Sequence, residues 1–312
     1  MKKILVTGAA GYLGSTICTQ LVNEGYTVTG VDNLFFEKNN LEDLIKYKNF
    51  SFHKFDVRED KLYKEFIPKN DVILPLAGIV GAPLCDKFHD LAYEINENSV
   101  KKISENISKN QNIILPTTNS GYGTTNKNVI CDENMELNPI SHYGRTKVNA
   151  EKYVMEKENA ISLRLATVFG VSYRNRIDLL VNYFVYNAVK FKKIKLFEPN
   201  FRRNYIHVKD VALTFNHCLK NFDKMKSNIY NVGLSEANLT KLQLCEEIKE
   251  LLPEFEIFID KEGKDPDKRD YFVSNEKLEK SGWKPQFSLK RGVKELISYY
   301  KNLSENNFDK NY

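Results

Sequence analysis

Three glycines near the start of the chain constrain its fold more than any other feature. The stretch VTGAAGYLG places Gly8, Gly11 and Gly14 directly after the apolar run KILVT and at the start of a helical pattern. In such a loop the first glycine permits a tight turn, the second lets the backbone approach a pyrophosphate, and the third allows close helix–strand packing. The loop therefore predicts a strand–turn–helix unit whose helix N-terminus binds an anion.

An acidic residue ends the next predicted strand. Asp32 closes the run TVTGVD, about 20 residues after the glycine loop, where a carboxylate can accept hydrogen bonds from ribose hydroxyls. The same carboxylate repels a 2′-phosphate, which favours NAD over NADP. A plain tight turn would explain the glycines alone, but the loop and Asp32 together predict dinucleotide binding.

The first half of the chain alternates short apolar runs with helical patterns. This alternation predicts βαβ units and a parallel sheet that is covered on both faces, an α/β fold of the doubly wound, Rossmann type. Further on, NYIHVKDVA and NIYNVG resemble returns to the main sheet. We therefore expect an NAD-binding domain of residues 1–168 and 204–235, and a smaller, interleaved α/β substrate domain of residues 169–203 and 236–312.

Composition and charge exclude several classes of protein. The 312 residues are 42% hydrophobic and 28% charged, as in globular proteins, and the net charge of +5 includes no long block of like charge, so we expect no nucleic-acid partner. No segment approaches the length of a membrane span or a secretory signal, which predicts a cytoplasmic protein without membrane contact. The five cysteines and five histidines have no metal-ligand spacing, so we expect reduced thiols and no metal.

The motif YGRTK places Tyr143 and Lys147 four residues apart, hence on one face of a helix. A cation beside a phenol lowers the pKa of the phenol, so a tyrosinate could act as general base near neutral pH. An exposed surface pair is the alternative, because Y-x-x-x-K also occurs by chance. Earlier in the chain, four polar residues follow one another at the end of the apolar run NIILP, namely Thr117, Thr118, Asn119 and Ser120.

These motifs, in this order, resemble the extended short-chain dehydrogenase/reductase family, whose members act mostly on nucleotide-activated sugars. The resemblance covers nearly the whole chain and rests on TGAAGYLG, Asp32, LAGI, Asn96, TTNSGYG, YGRTK, RLATVFG, RNYIHVKDVA and KRDYFVSNEKLEKSGWKP. It implies that Tyr143 is the general base, that Lys147 holds the nicotinamide ribose, and that Thr118 binds the reacting C4 hydroxyl of the sugar.

The motifs and the resemblance together imply two sets of binding residues. Residues expected to contact NAD are Gly8, Gly11, Tyr12, Leu13, Gly14, Asp32, Asn33, Asp56, Val57, Leu76, Ala77, Gly78, Asn96, Thr117, Tyr143 and Lys147. Residues expected to contact the nucleotide sugar are Val80, Thr118, Asn119, Ser120, Thr167, Arg203 and Arg269. The two arginines are expected at the nucleotide and its diphosphate. For Asp56, a helix-capping role is an equally open interpretation.

Two positions after Thr118 separate the reactions found in the family. The 4,6-dehydratases carry an aspartate and a glutamate where this chain has Asn119 and Ser120, and neither replacement can serve as a carboxylic acid. The 3,5-epimerising members often carry a cysteine at the position of Ser120. The sequence therefore predicts redox chemistry at C4 alone, either oxidation to a 4-keto sugar or oxidation followed by re-reduction, which is 4-epimerisation.

Within the family, LAGIVGAPLC, TTNSGYG, RLATVFG and FRRNYIHV most resemble the dehydrogenases that oxidise C4 of GDP-D-glycero-α-D-manno-heptose in bacterial capsule synthesis. A nucleotide-sugar 4-epimerase and, more remotely, a non-catalytic NAD-sensing protein are the alternatives.

The resemblance also implies a homodimer. Family members commonly pair two helices into a four-helix bundle, here those expected at Asp86–Lys109 and Ser141–Lys157. The apolar stripe of these helices either lines that seam or faces the chain's own sheet; its members are Leu91, Ile95, Ile103 and Ile107.

Overall fold

The computed structural model describes residues 1–36, 40–126, 129–260 and 269–303. The strands in these ranges are β1 (Lys3–Thr7), β2 (Thr27–Asp32), β3 (Phe50–Lys54), β4 (Val72–Pro75), β5 (Asn112–Thr118), β6 (Ile130–Cys131), β7 (Ala160–Leu165), β8 (Thr167–Phe169), β9 (Lys193–Phe197), β10 (Arg202–His207), β11 (Asn228–Val232), β12 (Asn238–Thr240), β13 (Glu256–Asp260) and β14 (Phe272–Val273). Seven of them form the central sheet.

The helices are α1 (Tyr12–Asn23), α2 (Glu42–Ile45), α3 (Ala82–Lys87), α4 (His89–Tyr93), α5 (Ser99–Asn106), α6 (His142–Met155), α7 (Leu180–Lys190), α8 (Val208–Lys220), α9 (Phe222–Met225), α10 (Lys241–Leu251), α11 (Glu276–Lys280) and α12 (Leu289–Asn302). The single helix expected over Asp86–Lys109 is broken at Phe88, whose φ of −119° and ψ of 57° are not helical, so α3 ends there and α4 begins. A π-helical turn at Glu94–Asn98 joins α4 to α5 with helical backbone throughout. No helix in the described ranges is both long enough and apolar enough to cross a membrane.

The central sheet is parallel throughout, in the order β11–β7–β5–β4–β1–β2–β3. Strand β1 pairs with β2 on one side and with β4 on the other, so Val6 lies opposite both Gly30 and Leu74. The chain thus adds β2 and β3 on one side of β1, and then β4, β5, β7 and β11 on the other side. Connections leave the carboxyl ends of β1 and β4 on opposite faces, which opens a crevice there. The predicted doubly wound α/β fold is confirmed.

Three smaller sheets lie outside the central one. Strand β10 pairs with β8 in parallel and with β12 antiparallel, while β9 pairs with β13 and β6 with β14. The expectation that NYIHVKDVA returns to the main sheet is therefore wrong, because β11 already occupies the position beside β7. The return of NIYNVG as β11 is correct. The division into two interleaved domains stays a prediction, and its last part, residues 304–312, lies outside the described residues.

Apolar side chains cover both faces of the central sheet. One cluster joins α1 and α8 to the sheet, and the other joins α4, α5 and α6 to its opposite face. Ile95 and Ile103, from the stripe considered for a dimer seam, are buried in the second cluster with Leu5 and Leu115. The stripe therefore faces the chain's own sheet, which was the alternative left open by the sequence.

A buried ionic network ties α6 to the sheet. The carboxylate of Glu151 accepts hydrogen bonds from Thr117 Oγ1 at 3.0 Å, from Ser162 Oγ at 2.7 Å and from Arg164 Nη2 at 2.7 Å. Arg164 also donates to the hydroxyl of Tyr122 at 3.0 Å. Because these partners lie on β5 and β7 and in the turn after β5, the network fixes the position of the helix that carries Tyr143 and Lys147.

We predict that Arg164→Ala lowers the free energy of unfolding by about 3–5 kcal/mol, because the carboxylate of Glu151 is left buried without its cation. Urea unfolding followed by circular dichroism measures the loss. Lys290→Ala, which breaks the exposed pair with Glu250, is the control and should have no measurable effect. A loss below about 1 kcal/mol at Arg164 would show that the network does not hold the helix.

Candidate active site

A cavity of about 800 Å³ opens at the carboxyl edge of the central sheet. Its walls come from the glycine loop after β1, from the end of β2, from the loop after β4 and from the end of β5. The other side is closed by Arg174, by residues 176–180 and by three residues further along the chain, Arg203, Arg269 and Tyr271. The cavity therefore occupies the crevice where the strand order reverses, the usual ligand position in this fold.

The glycine loop has the geometry that its sequence predicts. Gly8 has φ +68°, and a Cβ atom there would lie 2.7 Å from the backbone nitrogen of Ala77. A Cβ atom on Gly14 would collide with the carbonyl of Gly8, so the close approach of α1 to β1 requires glycine. No side chain caps the N-terminus of α1 at Gly11. The first N–H groups of the helix are thus available for a pyrophosphate.

Asp32 and Asp56 both border the cavity. The carboxylate of Asp32 accepts the N–H of Ala10 at 3.0 Å and that of Leu34 at 2.8 Å, and burial raises its pKa above the usual value. Asp56 accepts from Asn33 Nδ2 at 2.9 Å and from the backbone N–H two residues ahead at 2.9 Å. Asp56 therefore caps a turn and faces the cavity at once, so both interpretations of it remain compatible with the structure.

The predicted catalytic residues lie together on one wall of the cavity. Thr118 ends β5, and its Oγ1 lies 2.8 Å from Ser120 Oγ. Tyr143 lies in the first turn of α6, which begins where Ser141 Oγ accepts the N–H of Gly144 at 3.0 Å. Tyr143 and Thr118 both line the cavity, and Lys147 follows Tyr143 one helical turn later on the same wall.

The electrostatics of this wall differ from the expectation. Burial raises the pKa of Tyr143 to about 12, and the nearby Cys85 thiol adds to the increase. The groups that lower the pKa of Tyr143 against this increase are the charge of Arg269, the side chain of Thr118 and the charge of Arg176. The predicted lowering of the tyrosine pKa by the lysine is therefore wrong for this structure, because desolvation of the phenol is the largest effect and two arginines supply the opposing charge.

Lys147 presents a buried ammonium to the cavity. The residue is only 4% exposed, and burial lowers its pKa to about 8. Within the described residues its Nζ makes no hydrogen bond to another side chain or to the backbone. A buried donor that faces a cavity without a protein partner fits a pair of ribose hydroxyls. Together with the glycine loop and Asp32, this ammonium shows that the residues present fit NAD.

The loop after β4 is held from behind by Asn96 and Cys85. Asn96 Oδ1 accepts the N–H of Ile79 at 2.8 Å, and its Nδ2 donates to the carbonyl of Ile79 at 2.9 Å. The thiol of Cys85 donates to the same carbonyl at 3.1 Å. Asn96 is fully buried and does not border the cavity, so the structure gives it a supporting position rather than direct contact with the cofactor.

Asn119 likewise does not border the cavity. It is fully buried, and in the part of the chain that the structure describes neither atom of its carboxamide has a hydrogen-bond partner. Every other predicted site residue lines the cavity; these are Gly8, Gly11, Tyr12, Leu13, Gly14, Asp32, Asn33, Asp56, Val57, Leu76, Ala77, Gly78, Val80, Thr117, Thr118, Ser120, Tyr143, Lys147, Thr167, Arg203 and Arg269.

Sequence reasoning missed the charged segment between β8 and α7. Arg174, Arg176 and Asp178 all line the cavity, and the two arginines are 5% exposed. The guanidinium of Arg174 lies 4.2 Å from the ring centroid of Phe36, and its charge acts on Asp32. The available signal was the stretch RNRID, three charges placed directly before an apolar helical run, where a surface loop was the easier interpretation.

We predict that Lys147→Met stabilises the folded chain at pH 7 by about 1–3 kcal/mol while abolishing activity, because it removes a buried charge. The pKa of Lys147 is about 8 in the folded chain and 10.5 in its ordinary state, so folding penalises the ammonium below pH 8. The penalty disappears as the pH rises from 8 toward 10.5. Urea unfolding of both proteins between these limits tests the idea. A stability difference that does not change with pH would contradict it.

Comparison with known proteins identifies the family. Residues 4–233 match the model of the NAD dependent epimerase/dehydratase family. The chain is 28% identical to the uncharacterized UDP-glucose epimerase YtcB of Bacillus subtilis, over 96% of this chain and 98% of that protein. It is 25% identical to CDP-paratose 2-epimerase of Salmonella typhi, over 95% and 98% of the two chains.

The fold matches solved structures of the same kind. UDP-glucuronic acid 4-epimerase from Bacillus cereus, in complex with UDP-glucuronic acid and NAD, superposes with a TM-score of 0.83, at 23% identity and over 96% of this chain and 99% of that one. The UDP-glucose 4-epimerase of Thermus thermophilus, in complex with NAD, gives a TM-score of 0.82 at 21% identity, over 97% of this chain and 100% of that one. The family match over residues 4–233 shows that the chain is an NAD-dependent enzyme of the epimerase/dehydratase family, within the extended short-chain dehydrogenases/reductases.

Proposed function

We propose that this enzyme oxidises the C4 hydroxyl of a nucleotide-activated sugar, GDP-D-glycero-α-D-manno-heptose, to the 4-keto sugar, in the cytoplasm and in capsule polysaccharide synthesis. The observation that carries the proposal is the meeting of Thr118, Tyr143 and Lys147 on the lining of one cavity, where the side chain of Thr118 acts on the pKa of Tyr143. A protein that only senses NAD has no need of this arrangement. The closer resemblance of the sequence motifs supports the choice of sugar.

Each side chain of the site has a separate role in the oxidation. NAD, when bound, supplies the hydride acceptor and a positive charge beside the site. Thr118 holds the sugar hydroxyl, and Tyr143 removes its proton as general base. Arg269 and Arg176 stabilise the phenolate, since their charges lower the pKa of Tyr143 against the effect of burial. The ammonium of Lys147 orients the ribose next to the reacting carbon.

Among the described residues, the cavity lining lacks the groups that water loss from C5 and C6 would need. Within the described lining, carboxylates come from three residues, and two of them, Asp32 and Asp56, lie with the glycine loop at the dinucleotide side. The third, Asp178, accepts two hydrogen bonds from Arg176. Ser120 bonds to Thr118 and has no carboxylate or histidine partner among its hydrogen bonds in the described residues. The arrangement therefore favours a product that keeps its C6 oxygen.

Arg203 and Arg269 suit the nucleotide end of the substrate. Arg203 is almost fully buried, lines the cavity, and lies with its guanidinium carbon 5.7 Å from the ring centroid of Tyr271. Guanidinium groups in this position can form bidentate hydrogen bonds with a diphosphate. A homodimer remains part of the proposal, although the apolar stripe first considered for its seam is used within the chain.

A nucleotide-sugar 4-epimerase is the second candidate. The names of the relatives favour it, since the Bacillus subtilis relative is called a UDP-glucose epimerase and the Bacillus cereus structure is a UDP-glucuronic acid 4-epimerase. Epimerisation uses the same Thr118, Tyr143 and Lys147. The two functions differ only in whether the keto sugar leaves the site or turns and is reduced again.

We predict that incubation with GDP-D-glycero-α-D-manno-heptose and NAD gives a product that has lost two hydrogen atoms and no water. Mass spectrometry of reactions with a panel of GDP-, UDP- and dTDP-sugars measures this directly. Tyr143→Phe should bind NAD normally but turn over at least about 100-fold more slowly, because only the ionisable oxygen is removed. An unchanged mass with inverted C4 would establish the epimerase instead, and loss of water would contradict both functions.

A further inference from the structure

Of the buried ion pair on the cavity wall, Arg176 and Asp178, only the charge of Arg176 has a role in the oxidation, through its effect on Tyr143. Arg176 Nε donates to Asp178 Oδ1 at 3.1 Å, and Arg176 Nη2 donates to Asp178 Oδ2, so the ion pair is bidentate. The two side chains are 7% and 4% exposed. Both residues line the cavity. Burying such a pair usually stabilises a fold no more than apolar residues of similar size, so its presence at a ligand site calls for a functional explanation.

The pair is held rigidly. Asn182 in α7 donates from Nδ2 to the carbonyl of Arg176 at 2.8 Å, and its Oδ1 accepts the N–H of Gly170 at 3.0 Å. The hydroxyl of Tyr12 donates to the carbonyl of Gly170 at 2.8 Å. The segment that carries the pair is thus attached both to α7 and to the start of α1. A rigid pair can discriminate between ligand groups that differ by a single hydrogen bond.

The pair lies within electrostatic reach of the reacting atoms. The charge of Arg176 acts on the phenol of Tyr143, as does that of Arg269. Arg174 stacks on Phe36 and acts on Asp32 at the dinucleotide side, whereas Arg176 acts on Tyr12 at the start of α1 as well as on Tyr143. The pair and Tyr143 also line the same cavity, so a sugar with its C4 hydroxyl on Tyr143 shares this space with the pair.

The hydrogen-bonding capacity left on the pair indicates what it binds. In the described residues Nη1 of Arg176 has no hydrogen-bond partner, and the Asp178 oxygens keep further lone pairs. The pair therefore offers both N–H donors and carboxylate acceptors, with no net charge. A hydroxyl, which both donates and accepts, satisfies this combination. A methyl group would leave the pair unsatisfied, and a carboxylate would meet the charge of Asp178.

We propose that Arg176 and Asp178 together determine sugar specificity by binding the hydroxylated exocyclic group beside C4, and that they select against a carboxylate at that position. The inference rests on the proposed function, since it takes the C4 hydroxyl to lie at Tyr143. The exocyclic group is the part that varies between sugars such as glucose and glucuronic acid, which the names of the relatives contain. The pair would then separate this enzyme from uronate-specific relatives.

The test uses the full chain and four GDP-sugars that differ beside C4: the heptose with its two exocyclic hydroxyls, D-mannose with one, D-rhamnose with a methyl group and D-mannuronic acid with a carboxylate. Calorimetry on Tyr143→Phe with NAD bound gives each dissociation constant without turnover. Hydroxylated sugars should bind at least about tenfold more tightly than the other two. Tightest binding of the carboxylate would overturn the proposal, and this comparison requires no variant of the pair to fold.

Two variants of the pair extend the test. Asp178→Asn leaves the charge of Arg176 unbalanced, so it should improve binding of the carboxylate relative to D-mannose by about tenfold. The double variant Arg176→Gln with Asp178→Asn should bring the four sugars within about threefold of one another. A merely structural pair would instead lower all four affinities by one factor, which would contradict the proposal.

The matched control is the double variant Arg202→Gln with Asp270→Asn. It removes another bidentate arginine–aspartate pair, and neither of these two residues is among the described residues that line the cavity. This control should leave the sugar preference unchanged. The affinity for NAD is measured for the same Arg176 and Asp178 variants. If it changes by as large a factor as the sugar preference does, the pair lies at the cofactor and the proposal is overturned. If no sugar reduces NAD although the binding preferences hold, the proposed oxidation fails, and only the preference of the pair for a hydroxylated exocyclic group is retained, without the placement of C4 at Tyr143.

Discussion

The buried carboxylate of Glu151 is the interaction on which the rest of the site depends. It joins α6, which carries Tyr143 and Lys147, to β5, which ends in Thr117 and Thr118. A general base works only within hydrogen-bond reach of the group it deprotonates, so helix and strand must keep a fixed relation. The cation of Arg164 makes that relation stable, because a lone carboxylate would not remain buried.

Burial then sets the chemistry of the wall. The same exclusion of water that positions Tyr143 also raises its pKa, and it lowers the pKa of Lys147. Neither group has the protonation behaviour it would show in water, and the opposing positive charges come from Arg269 and Arg176 rather than from the neighbouring lysine. The site therefore depends on charges brought from distant parts of the chain as much as on the Y-x-x-x-K motif.

Local patterns in the sequence predicted most of the fold and one side of the site. The glycine loop, Asp32, the end of β5 and the spacing of Tyr143 and Lys147 are each confined to a few residues, and every one of them lies on the cavity. Patterns of this kind can be recognised without knowledge of tertiary contacts, because a strand end and the helix after it are local structures.

Contacts between distant segments were not accessible in the same way. The pairing of β10 with β8 rather than with the central sheet, and the arrival of Arg176 and Asp178 at the cavity, depend on how segments far apart in sequence pack. For Asn96 and Asn119 the sequence predicted a ligand contact that the structure does not show. Both residues belong to motifs of the site, but both are buried and neither lines the cavity.

The most direct test of the central claim, that this wall takes hydride from C4 and releases a keto sugar, is a reaction with the nucleotide sugar deuterated at C4. The account predicts that deuterium appears on the reduced nicotinamide and is absent from the sugar product, and that Tyr143→Phe slows this transfer at least about 100-fold. Deuterium recovered at C4 of a sugar with inverted configuration would contradict the release of a 4-keto product.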